Sequence, residues 1–381
     1  MSSDLHEIFL RLVRLGIGSA AGVSLPVTGP LSVADWQALE DLANEHGLLG
    51  VMLDGVEKLP RELRPEKKAI IQSIGQLIQS EQQYAVQEHA AMEMALLLHQ
   101  HGIRTYVLKG AVVAECYPKP EHRRSVDMDC FLLPEAGSED VWERGNRVLE
   151  EQGFEVRRDF YKNSTVMLPG LTVENHRYLT PFRGNTRLKS LERLLQSMIL
   201  NDNLNDNDNR GGKELGSALT LTLNRRFEGT WLYRPPVMVS ALFLIEHAYS
   251  HFLHEGLTWR MELDWQMFSR KHRQEFDWNE LETKVDGFGF RRFYDSFCRL
   301  GRFLVGELPV DDLQLADRRM LEDIWGPLDV HKTVAGVRGK LALAGNTWRA
   351  RWKYRVFSDM NWLQALWIQA KGVVFEKNPK I

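Results

Sequence analysis

Apolar residues recur at helical spacing through the first hundred positions. Between Asp4 and Leu15, the residues Leu5, Ile8, Phe9, Leu12 and Val13 fall on one face, and Gly16 is a natural stop. The run Ser32-Val-Ala-Asp35 resembles a capping box, with Asp in place of the usual Glu or Gln. It opens a helix that carries Trp36, Leu39, Leu42 and Ala43 on one side. A longer helix is expected from about Glu66 to His101, with Ile70, Ile74, Leu77, Ile78, Ala85, Met92 and Leu96 as its apolar stripe.

Beyond His101 the period shortens. Thr105–Leu108 reads as a strand ending at Lys109-Gly110, with a short helix, Ala111–Cys116, directly after it. Val126–Leu133 is a second strand, bounded by the charged loop Pro118–Arg124 and by Pro134. A helix over Ser138–Gln152 follows, stopped by Gly153. Phe154–Val156, Ser164–Leu168 and Leu171–Arg177 are further strands, the last two joined by the turn Pro169-Gly170. Residues 201–212 (NDNLNDNDNRGG) read as a polar loop. A calcium loop starting at Asp206 fails, because Arg210 and Ser217 stand at two ligand positions. Val237–Phe252, Leu257–Phe268, Leu281–Leu304 and the chain from Gly336 onward read as mostly helical. This order predicts an α+β fold with a small mixed-sheet core and helical regions on both sides. The expected divisions are a helical region over 1–100, the α/β core over 101–185, a flexible polar connection over 186–225 and a second helical region over 226–381.

Composition narrows the function classes. Lys plus Arg is 48 and Asp plus Glu is 51, a net charge of −3, which disfavours a broad electrostatic nucleic-acid binder. The 381 residues allow two or three domains, and 44% hydrophobic with 26% charged residues is ordinary for a globular chain. Cys116, Cys130 and Cys298 have no CxxC spacing, so neither a disulfide framework nor a cysteine zinc site is expected. Charges at Asp4, Glu7, Arg11 and Arg14 break the first segment, unlike a signal peptide, and Val237–Ile245 is too short to span a bilayer. A cytoplasmic, reduced location is expected.

The candidate chemistry centres on Asp127-Met128-Asp129. On a strand both carboxylates point the same way, roughly 6.6 Å apart along the backbone. At that separation they repel by about 2.5 kcal/mol at an effective dielectric of 20. The apolar neighbours Met128, Cys130 and Phe131 bury the strand, so a shared divalent cation is the economical neutraliser. Hard oxygen donors suit Mg²⁺ or Mn²⁺. Upstream, Gly110 would let a phosphate approach the backbone at the start of the helix from Ala111, with Lys109, Arg123 and Arg124 completing an anion site.

Here the sequence resembles a known family. Leu108-Lys-Gly-Ala111, Tyr117-Pro118, Arg123 and Asp127-x-Asp129-x-x-Leu132 are similar to an uncharacterised bacterial nucleotidyltransferase family of the polymerase-β-like superfamily. Asp35-Trp36 through His46-Gly47 and His247-Ala-x-x-His251, followed by Trp259 and Asp264, are similar to its flanking helical segments. Three departures stand out. Arg124-Ser125 replaces the family's Pro-Met, and Lys109-Gly110-Ala111 lacks the serine of the superfamily's turn. The family's strand V-D-L-H-W stands here as Val173-Glu-Asn-His-Arg177, so the resemblance implies Glu174 as third carboxylate. It also implies transfer of a nucleoside monophosphate from an NTP, ATP favoured, to a hydroxyl acceptor with loss of pyrophosphate. Asp127, Asp129 and Glu174 would hold the metal, and the acceptor stays open among small molecules, proteins and RNA. The alternative is a catalytically weak nucleotide-sensing or partner-binding protein on the same fold.

Three further features compete with that assignment. His247 and His251 share a helix face, and His176 shares a strand face with Glu174, so all three are candidate walls of the site, with packing as the bland reading of the pair. Trp348–Trp367 mixes basic residues with four tryptophans; binding of single-stranded nucleic acid or a membrane surface stays open, and the favoured expectation is packing as a helix with Trp inward. The run Gly16-Ile-Gly18-Ser-Ala-Ala21 imitates a dinucleotide fingerprint but follows a helical pattern, so it reads as a helix stop.

Overall fold

The N-terminal stripe folds as its spacing predicts. Helix α1 (Ser3–Gly16) buries Ile8, Phe9, Leu12 and Val13, and α2 (Val33–Glu45) buries Trp36, Leu39, Leu42 and Ala43. Ser32 caps α2, its Oγ accepting from the Asp35 N–H while the Asp35 carboxylate accepts from the Ser32 N–H, so both halves of the box are made. Helix α3 (Leu49–Glu57) packs on α1 through glycine: a Cβ at Gly55 would lie 2.0 Å from the Leu12 carbonyl oxygen, and one at Gly16 2.0 Å from that of Val51. The computed structural model describes residues 3–19, 30–135, 140–158, 161–208, 226–326 and 348–375.

Helix α4 (Lys67–Gln100) has the expected length but a different inner face. Ser73, Ala90, Ala91, Met94, Ala95 and Leu98 are buried, whereas Ile74, Ile78 and Leu96 of the expected stripe are exposed. Leu77 and Met92 of that stripe still rest against the core, and the covered face is shifted toward Ala90, Ala91 and Ala95, where α4 crosses the sheet beside Met94 and Leu98.

The sheet comprises β1 (Ile103–Val107), β2 (Asp127–Pro134), β3 (Glu155–Arg157), β4 (Asn163–Leu168), β5 (Leu171–His176) and β6 (Leu232–Tyr233). Their order is β3-β4-β5-β2-β1-β6. Strand β2 runs antiparallel to β1 and parallel to β5, so the sheet is mixed, and β4 and β5 form the hairpin expected at Pro169-Gly170. Only β6 was not announced by the sequence pattern; its two residues pair with β1, so the sheet draws on chain beyond residue 185. Strand parity then divides β2. Met128, Cys130 and Leu132 face α4 and α6 (Val141–Glu151), where Leu132 and Leu98 converge near Gly145. Asp127, Asp129 and Phe131 take the other face.

That second face is covered by helix. Between β1 and β2 lie the short α5 (Ala111–Ala114) and one 3-10 turn (Pro120–His122). Helix α7 (Thr186–Asp208) occupies the first part of the segment expected to be a flexible connection, and it carries the first residues of the expected polar loop 201–212. The remainder of that loop, with most of the excluded calcium motif, lies outside the described residues. Helices α8 (Val237–His254), α9 (Trp259–Lys271), α10 (Trp278–Gly287), α11 (Arg291–Leu304) and α12 (Leu315–Ile324) follow, with α13 (Arg351–Phe357) and α14 (Trp362–Phe375) at the end. The inward-tryptophan expectation fails in part, since Trp348 is 51% and Trp367 is 66% exposed. A lysine goes inward instead: Lys353 is buried, its Nζ 2.6 Å from Asp323 Oδ2. Among the described residues no helix is long and apolar enough to cross a membrane.

Candidate functional site

The parallel register of β2 and β5 sets Asp129 beside Glu174 and Phe131 beside His176. Because side chains alternate, Asp129, Glu174 and His176 rise from one face of the sheet. His176 Nε2 lies 2.8 Å from Asp129 Oδ1 and 3.6 Å from Glu174 Oε2, and one donor atom from each residue falls within a span of 4.8 Å. The expected trio was Asp127, Asp129 and Glu174. Asp127 shares the face but stands at the start of β2 opposite Thr172, outside this tight group, and it still acts on Glu174 through its charge.

The group is held from behind. His176 Nδ1 is 3.2 Å from the Tyr178 carbonyl oxygen, which can only accept, so Nδ1 carries the proton and donates it there. Phe243 of α8 meets the His176 ring edge-on, centroids 6.1 Å apart. Asn163 Nδ2 donates to Glu174 Oε2 at 2.8 Å. Nothing in the sequence pattern singled out Asn163 or Phe243, since each reaches the site only through strand pairing or helix packing.

Electrostatics divide the two acids. Burial by itself raises the Asp129 carboxyl, but the His176 hydrogen bond and charge, with Lys109 and His247, outweigh it and hold Asp129 well below the usual range. Glu174, partly open to solvent, is raised by burial and by the Asp129 charge. Lys109 is buried, and burial lowers its pKa against the pull of Asp129. Its ammonium donates to His247 Nε2 at 2.7 Å, and burial together with the Lys109 charge keeps His247 well below an ordinary histidine. The His247 and His251 rings are 4.4 Å apart, and His251 Nδ1 sits 2.9 Å from Glu255 Oε2, so the helical pair connects Lys109 toward the surface.

The anion site expected from the sequence is not assembled as drawn. Arg123 is buried and committed: its Nε and Nη2 donate to Asp264 Oδ1 and Oδ2 at 2.7 and 2.8 Å, and Tyr117 Oη donates to Asp264 Oδ1 at 2.7 Å. These three motif residues lock the loop before β2 to α9. Arg124 is exposed and donates to the Asn44 carbonyl. Helix α5 has four residues, too few to sum the peptide dipoles that an N-terminal phosphate site needs. Gly110 does adopt φ 77°, a conformation that side chains with a Cβ resist, and the site for that Cβ is 3.8 Å from the Asp127 carbonyl. Gly110, Ala111, Ser125 and Asp127 line a cavity of about 360 Å³ together with Met128 and with Tyr84 and Met92 of α4, on the α4 side of the sheet.

The donors fit a divalent cation, being buried or half-buried, convergent and held by hydrogen bonds from behind. No curated protein and no solved structure matches the chain. Residues 32–306 match the model of a family described as uncharacterised nucleotidyltransferase, more than half of the 381 residues, and the chain belongs to that family.

Proposed function

We propose that this chain, a transferase by family, moves a nucleoside monophosphate from an NTP, ATP favoured, to a hydroxyl acceptor, with release of pyrophosphate. The observation that carries the reading is the Asp129–Glu174 register, which sets two carboxylates side by side on the face that also bears Asp127. A divalent ion, Mg²⁺ or Mn²⁺, held by Asp129 and Glu174 with Asp127 at the strand's start, supplies charge neutralisation of the triphosphate and activation of the acceptor hydroxyl. The protein's part is positional. Lys109, fixed by His247, contributes a positive charge behind the carboxylates, and Phe243 shields the His176 ring. The Gly110 turn lets substrate approach the backbone beside Asp127. We assign the catalytic unit to residues 101–185 together with the edge strand β6, and the helical flanks to 1–100 and the rest of 226–381.

The test is pyrophosphate release and label transfer from labelled ATP, with Mg²⁺ or Mn²⁺, across small-molecule, protein and RNA acceptors. Asp127→Ala and Asp129→Asn are each expected to cost a hundredfold or more in rate, since each removes transition-state charge stabilisation of about 3 kcal/mol. Unchanged turnover in either variant sinks the assignment. The second reading, a catalytically weak nucleotide-sensing or partner-binding protein, is favoured by the commitment of Arg123 to Asp264 and by the absence of a serine at Gly110-Ala111. Tight ATP binding without turnover across the panel would select it.

A further inference from the structure

The geometry points to His176 as a direct metal ligand, which makes the centre a mixed nitrogen–oxygen site that selects Mn²⁺ over Mg²⁺. This rests on the nucleotidyl-transfer reading only for the place of the ion.

Three observations carry it. First, direction: Nε2 faces Asp129 Oδ1 at 2.8 Å and Glu174 Oε2 at 3.6 Å, while the opposite nitrogen is spent on the Tyr178 carbonyl. A histidine that binds a metal typically donates its other N–H to a carbonyl or carboxylate in this way; Nε2, which donates its proton to the Asp129 carboxylate while no ion is bound, is the nitrogen left for an ion, and binding displaces that proton. Second, reach: with metal–donor distances of about 2.1 Å, donors separated by 2.8 Å subtend about 84° at the ion, and donors 3.6 Å apart about 118°. The first is a cis octahedral pair as it stands, and the second becomes one with a small shift of the long Glu174 side chain. Third, rigidity: Asn163 holds Glu174, and Phe243 meets the His176 ring edge-on, so these two donors are oriented without the ion. Asp127, one strand repeat from Asp129, remains the partly exposed donor toward substrate.

An imidazole changes the choice of ion. Mg²⁺ is hard, prefers an all-oxygen octahedron and retains several waters, whereas nitrogen donors favour the first-row transition metals. The two carboxylates admit either ion, and His176 tilts the balance toward Mn²⁺.

The experiment adds Mn²⁺ alone to the full chain, without nucleotide, and reads electron spin-echo modulation together with calorimetric affinity. The expected result is ¹⁴N modulation from a directly bound imidazole and Mn²⁺ binding at least about tenfold tighter than Mg²⁺. In His176→Gln the ¹⁴N signal should vanish and the Mn²⁺ affinity fall about tenfold, with a smaller loss for Mg²⁺. Bound Mn²⁺ without ¹⁴N modulation, or a signal that persists in His176→Gln, overturns the proposal while leaving the carboxylate centre intact. Failure of the unaltered chain to bind Mn²⁺ at all removes both. The spectrum of the unaltered protein decides the first point even if the variant does not fold.

Discussion

Asp264→Asn probes the clamp that ties the loop before β2 to the C-terminal helices. Arg123 and Asp264 have side chains only 1% and 3% exposed, and their fork is 2.7–2.8 Å long on both arms. Arg260 adds a second cation, its Nη1 4.0 Å from Asp264 Oδ2. Burial by itself raises the Asp264 carboxyl, and Arg123, Arg260 and Tyr117 reverse that and hold it below the usual range. Removing the one negative charge leaves a buried guanidinium uncompensated, with a like charge beside it and an amide N–H₂ set against its donors. Breaking a buried pair from one side costs about 3–5 kcal/mol. Urea unfolding followed by tryptophan fluorescence should report that loss as a lower midpoint at unchanged slope. Arg123→Met should lose a comparable amount. The double variant Arg123→Met/Asp264→Leu should recover at least about 2 kcal/mol relative to the sum of the single losses, because the buried Arg123 charge goes with its partner and only Arg260, the more exposed and more distant cation, loses a carboxylate. A single-variant loss below about 1 kcal/mol, or strict additivity in the cycle, would refute the claim that the two groups compensate each other in a dry site.

Two other outcomes follow from the geometry. Gly55→Ala should destabilise by about 1–3 kcal/mol despite the better helix propensity of alanine, because its Cβ meets backbone of α1 rather than a yielding side chain; an unchanged or raised Tm contradicts the close packing. The third prediction concerns pH. His122 lies between Asp54 and Glu81, each 2.8 Å from one ring nitrogen, so both nitrogens must donate and the ring is an imidazolium. Burial lowers its pKa, yet the hydrogen bonds to Asp54 and Glu81 win and raise it above 6.5. Its stabilisation is then complete below pH 6.5 and is lost as pH rises through the higher folded value. Chemical denaturation from pH 5.5 to 9 should show this decline in the parent and a flatter profile in His122→Gln; identical profiles count against it.

Local physics made much of this protein readable in one dimension. A capping box at Ser32 and Asp35, a two-residue hairpin at Pro169-Gly170 and the alternation of Asp127 and Asp129 are properties of neighbouring residues, and each has its expected form in the fold. Strand ends differ by a residue or two, as for Thr105–Leu108 against Ile103–Val107, because ladder partners and not the strand's own residues decide where pairing stops. The face of α4 agrees only at Leu77 and Met92 for a related reason: hydrophobicity names the stickiest stripe, but packing on the sheet also selects Ala90, Ala91 and Ala95.

At the site the division is sharper. Spacing told that Asp127 and Asp129 share a face and that His176 lies on the face of Glu174, because a strand has period two. It could not tell which of them meet, since that depends on β5 lying parallel to β2 with Asp129 against Glu174. Nor could it tell that Arg123, a plausible phosphate ligand by charge, spends both arms of its fork on a carboxylate well over a hundred residues away. Charge and period are written in the chain; which charge is answered by which is decided only when distant segments pack and water is excluded between them.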